Sequence, residues 1–162
     1  MERSRAGALT PARAGAYAFL LAVAAYLNAA GNGFAYDDGL ILEMNPVVTE
    51  GRWGEAFFGP YWYGAREGAG LYRPLTLGSF ALEWRLWGGS PVGFHAVSIV
   101  AHALSTLLVL RLLTLLVPLG AAVAGAFFFA VHPVHVEAVA NVVGRSELYA
   151  ALAVLGAGVA YL

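Results

Sequence analysis

The chain has no cysteine and no lysine, and it is poor in charge of either sign. Without cysteine it can form neither a disulfide nor a thiolate metal site. Its formal net charge of −1 gives no electrostatic basis for binding nucleic acid, so we expect no nucleic-acid partner. Only 12% of the 162 residues are charged, whereas a typical soluble domain has about 25%. These deficits argue against a soluble globular protein.

Long apolar runs take the place of the missing charge, and 60% of the residues are hydrophobic. This pattern is typical of integral membrane proteins, so the lipid bilayer is an expected partner. The abundance of Ala, Gly, Leu and Val, with arginine as the sole strongly basic residue, suggests a GC-rich bacterial source. We therefore expect a location in a bacterial plasma (inner) membrane.

The first apolar run covers residues 14–31 and follows a segment, residues 1–13, that contains three arginines. A helix over this run would be about 27 Å long, close to the ~30 Å hydrocarbon core of a bilayer. Arginines before a first span favour a cytoplasmic N-terminus and an extracytoplasmic next loop. A cleaved signal peptide is the alternative, although the run is long and residues 28–30 make a poor cleavage site.

Residues 32–91 differ from the rest because they hold four of the nine arginines and seven of the ten acids, together with many aromatic residues. We predict a large extracytoplasmic loop with short interfacial helices at 52–58 and 75–87. In the second helix, leucine and aromatic side chains supply apolar surface, whereas Glu83 and Arg85 are expected on the polar side.

The remainder of the chain predicts further membrane helices. Residues 92–117 form the second, residues 119–133 a short third that stops at a His-Pro pair, and residues 148–162 the start of a fourth. Residues 134–147 form a polar loop or helix between the last two, and a span that stops short needs its polar end in a protein-lined cavity. The predicted fold is an all-α membrane bundle of about four helices, in a chain that looks truncated.

The adjacent carboxylates Asp37 and Asp38 follow directly after the first predicted span. A structural interpretation is a helix cap or turn followed by Gly39. A functional interpretation is a general base for a hydroxyl acceptor, because neighbouring carboxylates can tune each other's ionisation. A divalent metal held by this pair is a further possibility that the sequence leaves open.

Arg73 and Arg145 are candidates for binding a phosphate, because the guanidinium fork matches phosphate oxygens. Arg73 lies in the predicted external loop, where an ordinary interfacial arginine is the alternative. Arg145 lies two residues before Glu147, and both are candidates for a polar network around a cavity. The structural alternative for them is an ion pair at the loop.

The histidines suggest a polar cavity more than a metal centre. His132, His135 and Glu137 are close in sequence, but two histidines around a proline are weak evidence for zinc. Ionisable groups in apolar segments are costly, and they are therefore functional candidates. His95 and His102 are seven residues apart on one helical face, where they are expected to pack or hydrogen-bond between helices.

Several motifs occur in the same order as in a known family: Tyr36-Asp37-Asp38, Asn45-Pro46, Tyr72 to Thr76, Gly93-Phe94-His95, His102-Ala103-Leu104 and, most specifically, His132 to Glu147. In these motifs the chain resembles the transmembrane and tetratricopeptide-repeat-containing proteins. These are O-mannosyltransferase-like members of the GT-C glycosyltransferase superfamily. The resemblance covers nearly the whole chain from about residue 14.

The resemblance implies a GT-C-type multi-helix fold whose first external loop holds the acidic pair, which falls here on Asp37 and Asp38. It implies a polyprenyl- or dolichyl-phosphate sugar donor, with mannose as one candidate sugar, and a hydroxyl acceptor on protein. The family's proteins continue into more membrane helices and tetratricopeptide repeats, which are absent from these 162 residues. We therefore expect the chain to be the N-terminal part of such an enzyme.

The leading functional hypothesis is an inverting membrane glycosyltransferase that acts at the extracytoplasmic face. A transporter or channel subunit is the main alternative, because broken apolar helices with buried His and Glu also occur in transporters. A non-catalytic membrane scaffold is the third hypothesis.

Overall fold

A computed structural model describes residues 9–62 and 70–162, and every regular element in this part of the chain is helical. The α-helices are α1 (Pro11–Tyr26), α2 (Pro46–Thr49), α3 (Pro74–Trp87), α4 (Pro91–Leu116), α5 (Leu119–Val131), α6 (Val136–Ala140) and α7 (Arg145–Tyr161). Single helical turns occur at Leu27–Gly31, Gly39–Glu43, Trp53–Phe57, Pro133–His135 and Val142–Gly144. The all-α prediction is confirmed. The expectations for the basic residues before residue 9 and for loop residues 63–69 lie outside the described residues.

Among the residues that the structure describes, three segments are long and apolar enough to cross a membrane: Pro11–Gly31, Pro91–Leu116 and Val142–Tyr161. A fourth is formed if α5 and the segment Pro133–Ala140 count as one span, bent by 44°. The bend falls at Pro133, which lacks the N–H that a continuous helix would need. The helices thus agree with a membrane protein of about four spans, and their orientation across the bilayer stays a prediction.

Helix ends differ from the predicted boundaries by a few residues. α1 begins at Pro11 because the Thr10 hydroxyl accepts a hydrogen bond from the Arg13 N–H over 3.3 Å and a proline suits the first turn. α7 begins at Arg145 rather than at residue 148, and Arg145, the first residue of the helix, is buried with hydrogen-bond partners elsewhere in the fold.

Stripes of small residues hold the spans together. α1 and α5 each bury three alanines spaced four apart, so that each stripe lies on one helical face. Both helices contact α4 and each other, and small side chains allow such close backbone approach. The alanines, none with exposed surface, are Ala14, Ala18, Ala22, Ala122, Ala126 and Ala130.

α3 covers the predicted interfacial helix, but the two sides of the helix differ from expectation. Leu75, Leu82 and Leu86 are exposed, whereas Glu83, which was expected on the polar side, is only 5% exposed. That expectation is wrong because Glu83 has a charged partner inside the fold. α3 ends at Gly88, whose left-handed φ of 59° suits a glycine.

Parts of the described segment between α1 and α4 pack into the interior. Its residues Ile41, Leu42 and Tyr61 share a buried apolar cluster with Phe94 of α4 and Val142. The start of α4 and the start of α7 are thereby joined to the loop. This region of contact positions the candidate site.

Candidate functional site

The acidic pair begins with a backbone irregularity at Tyr36. This residue has φ 51°, and it is the one non-glycine residue with positive φ among residues 9–62 and 70–162. A left-handed conformation costs an ordinary residue roughly 1–2 kcal/mol, and such residues tend to occur at functional sites. The Tyr36 side chain is 94% exposed. The turn therefore presents an aromatic ring directly before the two carboxylates.

Asp38 is a structural joint. Its Oδ2 accepts a hydrogen bond from the Ala35 N–H over 3.0 Å, and its Oδ1 accepts one from the Val143 N–H over 2.9 Å. Burial raises the pKa of the Asp38 carboxyl, while the two amides and nearby His95 act in the opposite direction. Both oxygens are thus engaged in holding the loop to the turn before α7.

Asp37 has the opposite environment, because its side chain is exposed. Its backbone carbonyl accepts a hydrogen bond from the Ile41 N–H over 3.1 Å, which fixes the main chain at the start of a helical turn. Within residues 9–62 and 70–162, no hydrogen bond or ion pair engages its carboxylate. Of the two acids, Asp37 is the one available to a ligand.

Asp37 lies where two cavities meet. One, the arginine lobe, has a volume of about 420 Å³ and includes Arg73, Ser146 and Glu147 in its lining. The other, the tyrosine lobe, has a volume of about 790 Å³ and includes Tyr36. Four residues line both lobes: Asp37, Val134, Glu137 and Asn141. The two lobes form one cleft with a carboxylate at the junction.

Arg73 supplies positive charge to this cleft. It precedes the first turn of α3, and its guanidinium carbon lies 5.3 Å from the centre of the Tyr61 ring. Stacking on an aromatic ring orients the guanidinium without using all its N–H groups. Burial raises the pKa of the Tyr61 hydroxyl to about 12, with Arg73 acting in the opposite direction, so the tyrosine stays neutral.

An apolar trough of about 430 Å³ continues from the arginine lobe. It shares Arg73, Ser146 and Glu147 with that lobe. Its other walls include Leu75 and, along α7, Tyr149 and Ala153. The cleft thus passes from polar to apolar surroundings at Arg73.

Arg145 is buried in the interior, with no exposed surface. Its Nη1 pairs with Glu83, its Nε donates to the Ser98 hydroxyl over 3.1 Å, and its Nη2 donates to the Phe94 carbonyl over 2.6 Å. The guanidinium carbon also lies 4.8 Å from the centre of the Phe80 ring. Arg145 therefore ties α7 to α3 and α4, and its contact with a phosphate stays a prediction.

The partner of Arg145 is Glu83 and not Glu147, so the ion pair suggested by sequence proximity is corrected. Residues two apart on a helix point to different sides, and Glu147 is exposed at the cleft while Arg145 faces inward. Burial raises the pKa of Glu83 to about 7, although Arg145 acts to lower it. This buried pair is a coupling between helices.

The histidines divide into an inner group and one outlier. His102, His132 and His135 lie near one another, with ring centres 5.2 Å apart for His102 and His135 and 6.1 Å apart for His132 and His135. His102 Nε2 lies 3.0 Å from the Ala130 carbonyl oxygen, a contact between helices. His95 Nε2 lies 3.4 Å from the Gly33 carbonyl oxygen.

The contact of His102 with Ala130 of α5 agrees with the interhelical role expected for it, whereas His95 contacts the loop at Gly33 rather than another helix. None of the four histidines lines either lobe, so their part in shaping the cavity stays a prediction. Among the described residues, no group of three or more acid or histidine side chains is arranged to hold a metal ion. The amide bonds to both oxygens of Asp38 also fit poorly with a metal shared by the acidic pair.

The cleft thus gathers Asp37, Arg73, Glu137 and Glu147 from the predicted set, and it adds residues that the sequence did not single out. Tyr36 is the most prominent addition; the sequence placed it in the Tyr36-Asp37-Asp38 motif without assigning it a role, and the structure distinguishes it by its backbone conformation and its exposed ring. Ser146 joins from the first turn of α7. Glu83 had one usable signal, because an acid in a largely apolar helix often has a buried partner.

The fold and the site together define a class of protein. It is an all-helical membrane protein with carboxylates and an arginine around one cleft. Comparison with curated proteins makes this more specific. The chain is 40% identical over 148 residues to protein O-mannosyl-transferase Tmtc2 of Drosophila melanogaster and 37% identical over 168 residues to protein O-mannosyl-transferase TMTC1 of Homo sapiens. It is 34% identical over 136 residues to protein O-mannosyl-transferase F38B6.6 of Caenorhabditis elegans. The chain is thus similar to one segment of relatives that are named TMTC protein O-mannosyl-transferases, which confirms the resemblance seen in the motifs.

These matches cover 88%, 99% and 79% of the chain but only 16%, 19% and 20% of the respective relatives. The chain therefore spans a fifth or less of the length of the curated relatives it matches. The relatives are animal proteins, so they give no support to the expected bacterial plasma membrane. No protein-family model matches the chain. No solved structure matches it either, so the GT-C fold remains unconfirmed.

Proposed function

We propose that this chain contributes the catalytic corner of a GT-C-type protein O-mannosyltransferase that uses a polyprenyl- or dolichyl-phosphate sugar at the extracytoplasmic face. The observation that most supports this is the position of Asp37. Its carboxylate has no partner among the described residues and lies at the junction of two lobes, one of which contains Arg73. A base in such a reaction must reach the acceptor hydroxyl while that hydroxyl lies next to C1 of the donor sugar.

In the proposed reaction, the acceptor hydroxyl oxygen forms a bond to C1 of the sugar, and the bond between C1 and the phosphate oxygen breaks. The hydroxyl proton passes to the Asp37 carboxylate. The electron pair of the breaking bond leaves with the lipid phosphate. Attack from the face opposite the phosphate inverts the configuration at C1.

Arg73 is assigned to the departing phosphate. Charge develops on the phosphate oxygen as the bond to C1 breaks, and a positioned guanidinium stabilises that charge. The apolar trough beside Arg73 supports this assignment, because a lipid chain attached to the phosphate needs an apolar path out of a polar lobe. Ser146 and Glu147, at the same junction, are available to hydrogen-bond to sugar hydroxyls.

Asp38 is assigned a positioning role, which separates the two members of the acidic pair. Its two amide bonds fix the turn on which Asp37 lies and connect that turn to the segment before α7. Ser146 and Glu147 follow that segment. The Asp38 carboxylate therefore holds the two walls of the arginine lobe in a fixed position relative to each other. Asp37 thus acts on the acceptor proton, while Asp38 holds the walls around it.

The test uses the complete gene product, purified into lipid nanodiscs, with dolichyl-phosphate mannose and a serine-containing peptide. Asp37→Asn should lower kcat by about 10²–10⁴-fold with little change in donor binding, as expected for removal of a general base. Arg73→Gln should lower kcat and weaken donor binding. Arg52→Gln is the matched control, because Arg52 pairs with Glu50 and Glu55 and does not line the cleft.

Transfer that is unaffected by Asp37→Asn would overturn the assignment of the base. Failure of the wild-type protein to transfer sugar from any polyprenyl-phosphate donor would overturn the proposed reaction and favour transport or scaffolding.

A further inference from the structure

The two lobes of the cleft differ in whether they hold a cation. Both are lined by the carboxylates of Asp37 and Glu137, and the arginine lobe adds a third carboxylate, Glu147, and the cation Arg73. No arginine is among the described residues that line the tyrosine lobe. Arg73 can therefore pair with an anionic phosphate in the first lobe, whereas the second lobe offers a phosphate two carboxylates and no cation. Under the proposed function, on which this inference rests, the second lobe is left for the acceptor.

We propose that the tyrosine lobe is the acceptor subsite, and that it binds an extended peptide in which the reacting serine or threonine lies next to a basic residue. Tyr36 contacts the peptide, and Glu137 pairs with the basic side chain. Asp37, at the junction, faces the hydroxyl that reacts. Tyr36 and Glu137 thereby determine which acceptors are used.

The size of the lobe suits this occupant. Ligand pockets commonly measure about 300–1,000 Å³, and the tyrosine lobe, at about 790 Å³, is nearly twice the volume of the arginine lobe. Its lining mixes the apolar residues Pro133 and Val136 with the amides of Asn32 and Asn141. Apolar patches with a few amide groups suit a peptide, whose main chain both donates and accepts hydrogen bonds.

Tyr36 is the feature that distinguishes this lobe from a simple gap between helices. Its ring is 94% exposed, and its backbone has φ 51°, a conformation that is strained for a non-glycine residue and tends to occur at functional sites. Tyrosine provides a large contact area at a low loss of side-chain entropy and is common where proteins bind peptides. A bound peptide would cover the ring, which otherwise lies open at the lining of the tyrosine lobe.

Glu137 gives the lobe its preference for charge. It is exposed at the start of α6, on the wall that also holds Val134 and Asn141. Exposed carboxylates contribute modestly to binding and strongly to discrimination by sign of charge. A basic residue beside the acceptor hydroxyl is therefore favoured, and an acidic one is repelled by two carboxylates.

The experiment again uses the complete gene product in lipid nanodiscs with dolichyl-phosphate mannose. Three serine peptides that differ at one position, next to the serine, offer lysine, alanine or glutamate. For the wild type we expect the acceptor KM to rise from the lysine peptide to the glutamate peptide by about fivefold or more. Glu137→Gln should reduce the difference in acceptor KM between the peptides, and Glu137→Lys should reverse the order of their KM values.

Tyr36→Ala should raise the acceptor KM about tenfold for all three peptides and leave the donor KM unchanged. Tyr36→Phe, which keeps the ring, should restore the acceptor KM. The matched controls are Phe58→Ala, at an aromatic that is 92% exposed outside the cleft, and Glu43→Gln, at an exposed acid outside it. Neither control should alter the order of the peptides.

An unchanged acceptor KM in Tyr36→Ala, or a donor KM that rises instead, would overturn the inference. Equal acceptor KM values for the three wild-type reactions would overturn the charge preference. Direct binding of fluorescent peptides to the same variants separates this inference from the proposed reaction. Peptide binding that depends on Tyr36 without any sugar transfer would support the subsite and overturn the reaction.

Discussion

The backbone N–H of Val143 donates a hydrogen bond to Oδ1 of Asp38 over 2.9 Å, although the two residues are 105 positions apart. The bond connects the acidic turn to the segment that leads into α7. Gly144, the next residue, packs so closely on α6 that an added Cβ would lie 2.9 Å from the Cα of Ala138. The wall of the cleft is therefore fixed from two sides.

Asp38→Asn should destabilise the protein, because an amide side chain can accept from only one of the two N–H groups that Asp38 now satisfies. Leaving a buried donor without its partner costs about 1–3 kcal/mol. Thermal unfolding in detergent, followed by circular dichroism, should therefore show a lower midpoint. Asp37→Asn is the matched control and should unfold as the wild type does. Equal midpoints for the two variants would contradict the joint at Asp38.

Replacing Arg145 should be more harmful than replacing it together with Glu83. Arg145→Met leaves Glu83 buried without its cation, and breaking such a pair costs about 3–5 kcal/mol. The double variant with Glu83→Leu removes both charges, and such exchanges are often neutral or stabilising. A double-mutant cycle of unfolding midpoints measures the coupling. Additive effects of the two changes would show that the pair contributes no coupling.

The pH dependence of stability should also report on Glu83. Burial raises its folded-state pKa to about 7 from an ordinary value of 4.5. The folded state therefore binds this proton more tightly than the unfolded state, so the associated stability is present below about pH 4.5 and lost as the pH rises through about 7. We expect the unfolding midpoint to fall across this window, and to fall less in Glu83→Gln. Parallel curves for the two proteins would exclude Glu83 as the source.

A larger side chain in the alanine stripe of α1 should force the spans apart. Ala18→Leu places extra methylenes in a fully buried position against neighbouring helices, and such overpacking costs about 1–3 kcal/mol. Ala24→Leu makes the same chemical change on an exposed face of the same helix. Resistance to unfolding by sodium dodecyl sulfate should fall for Ala18→Leu only. A similar loss in both variants would indicate an effect of side-chain size unrelated to packing.

Local features of the fold were well predicted from the sequence, because they depend on neighbouring residues. The bounds of the apolar helix Leu119–Val131 follow from Pro118 at one end and the His-Pro pair at the other. The interfacial helix was placed within one residue of α3 because Pro74 suits a first turn and Gly88 suits an end. Proline and glycine at the ends of helices are a local signal in the sequence.

The division of the acidic pair could not be predicted in the same way. Asp37 and Asp38 are the same residue type, and the buried Asp38 is separated from the exposed Asp37 by hydrogen bonds from Ala35 and from the distant Val143. Likewise, Arg145 and Glu83 are 62 positions apart, and no periodicity within either helix relates them. Contacts of this kind depend on how helices pack, which a single sequence does not specify.

The order of residues along the chain has a consequence for synthesis. The partners of Arg145, namely Glu83, Phe94 and Ser98, all precede it, so each has already left the ribosome when the arginine appears. Asp38 is in the opposite position, because Val143 is made 105 residues later. At about 5–20 residues per second, the acidic turn waits roughly 5–20 s for this amide. Until Val143 is made, a nascent chain contains the three partners of Arg145 but lacks the amide that completes the hydrogen bonding of Asp38.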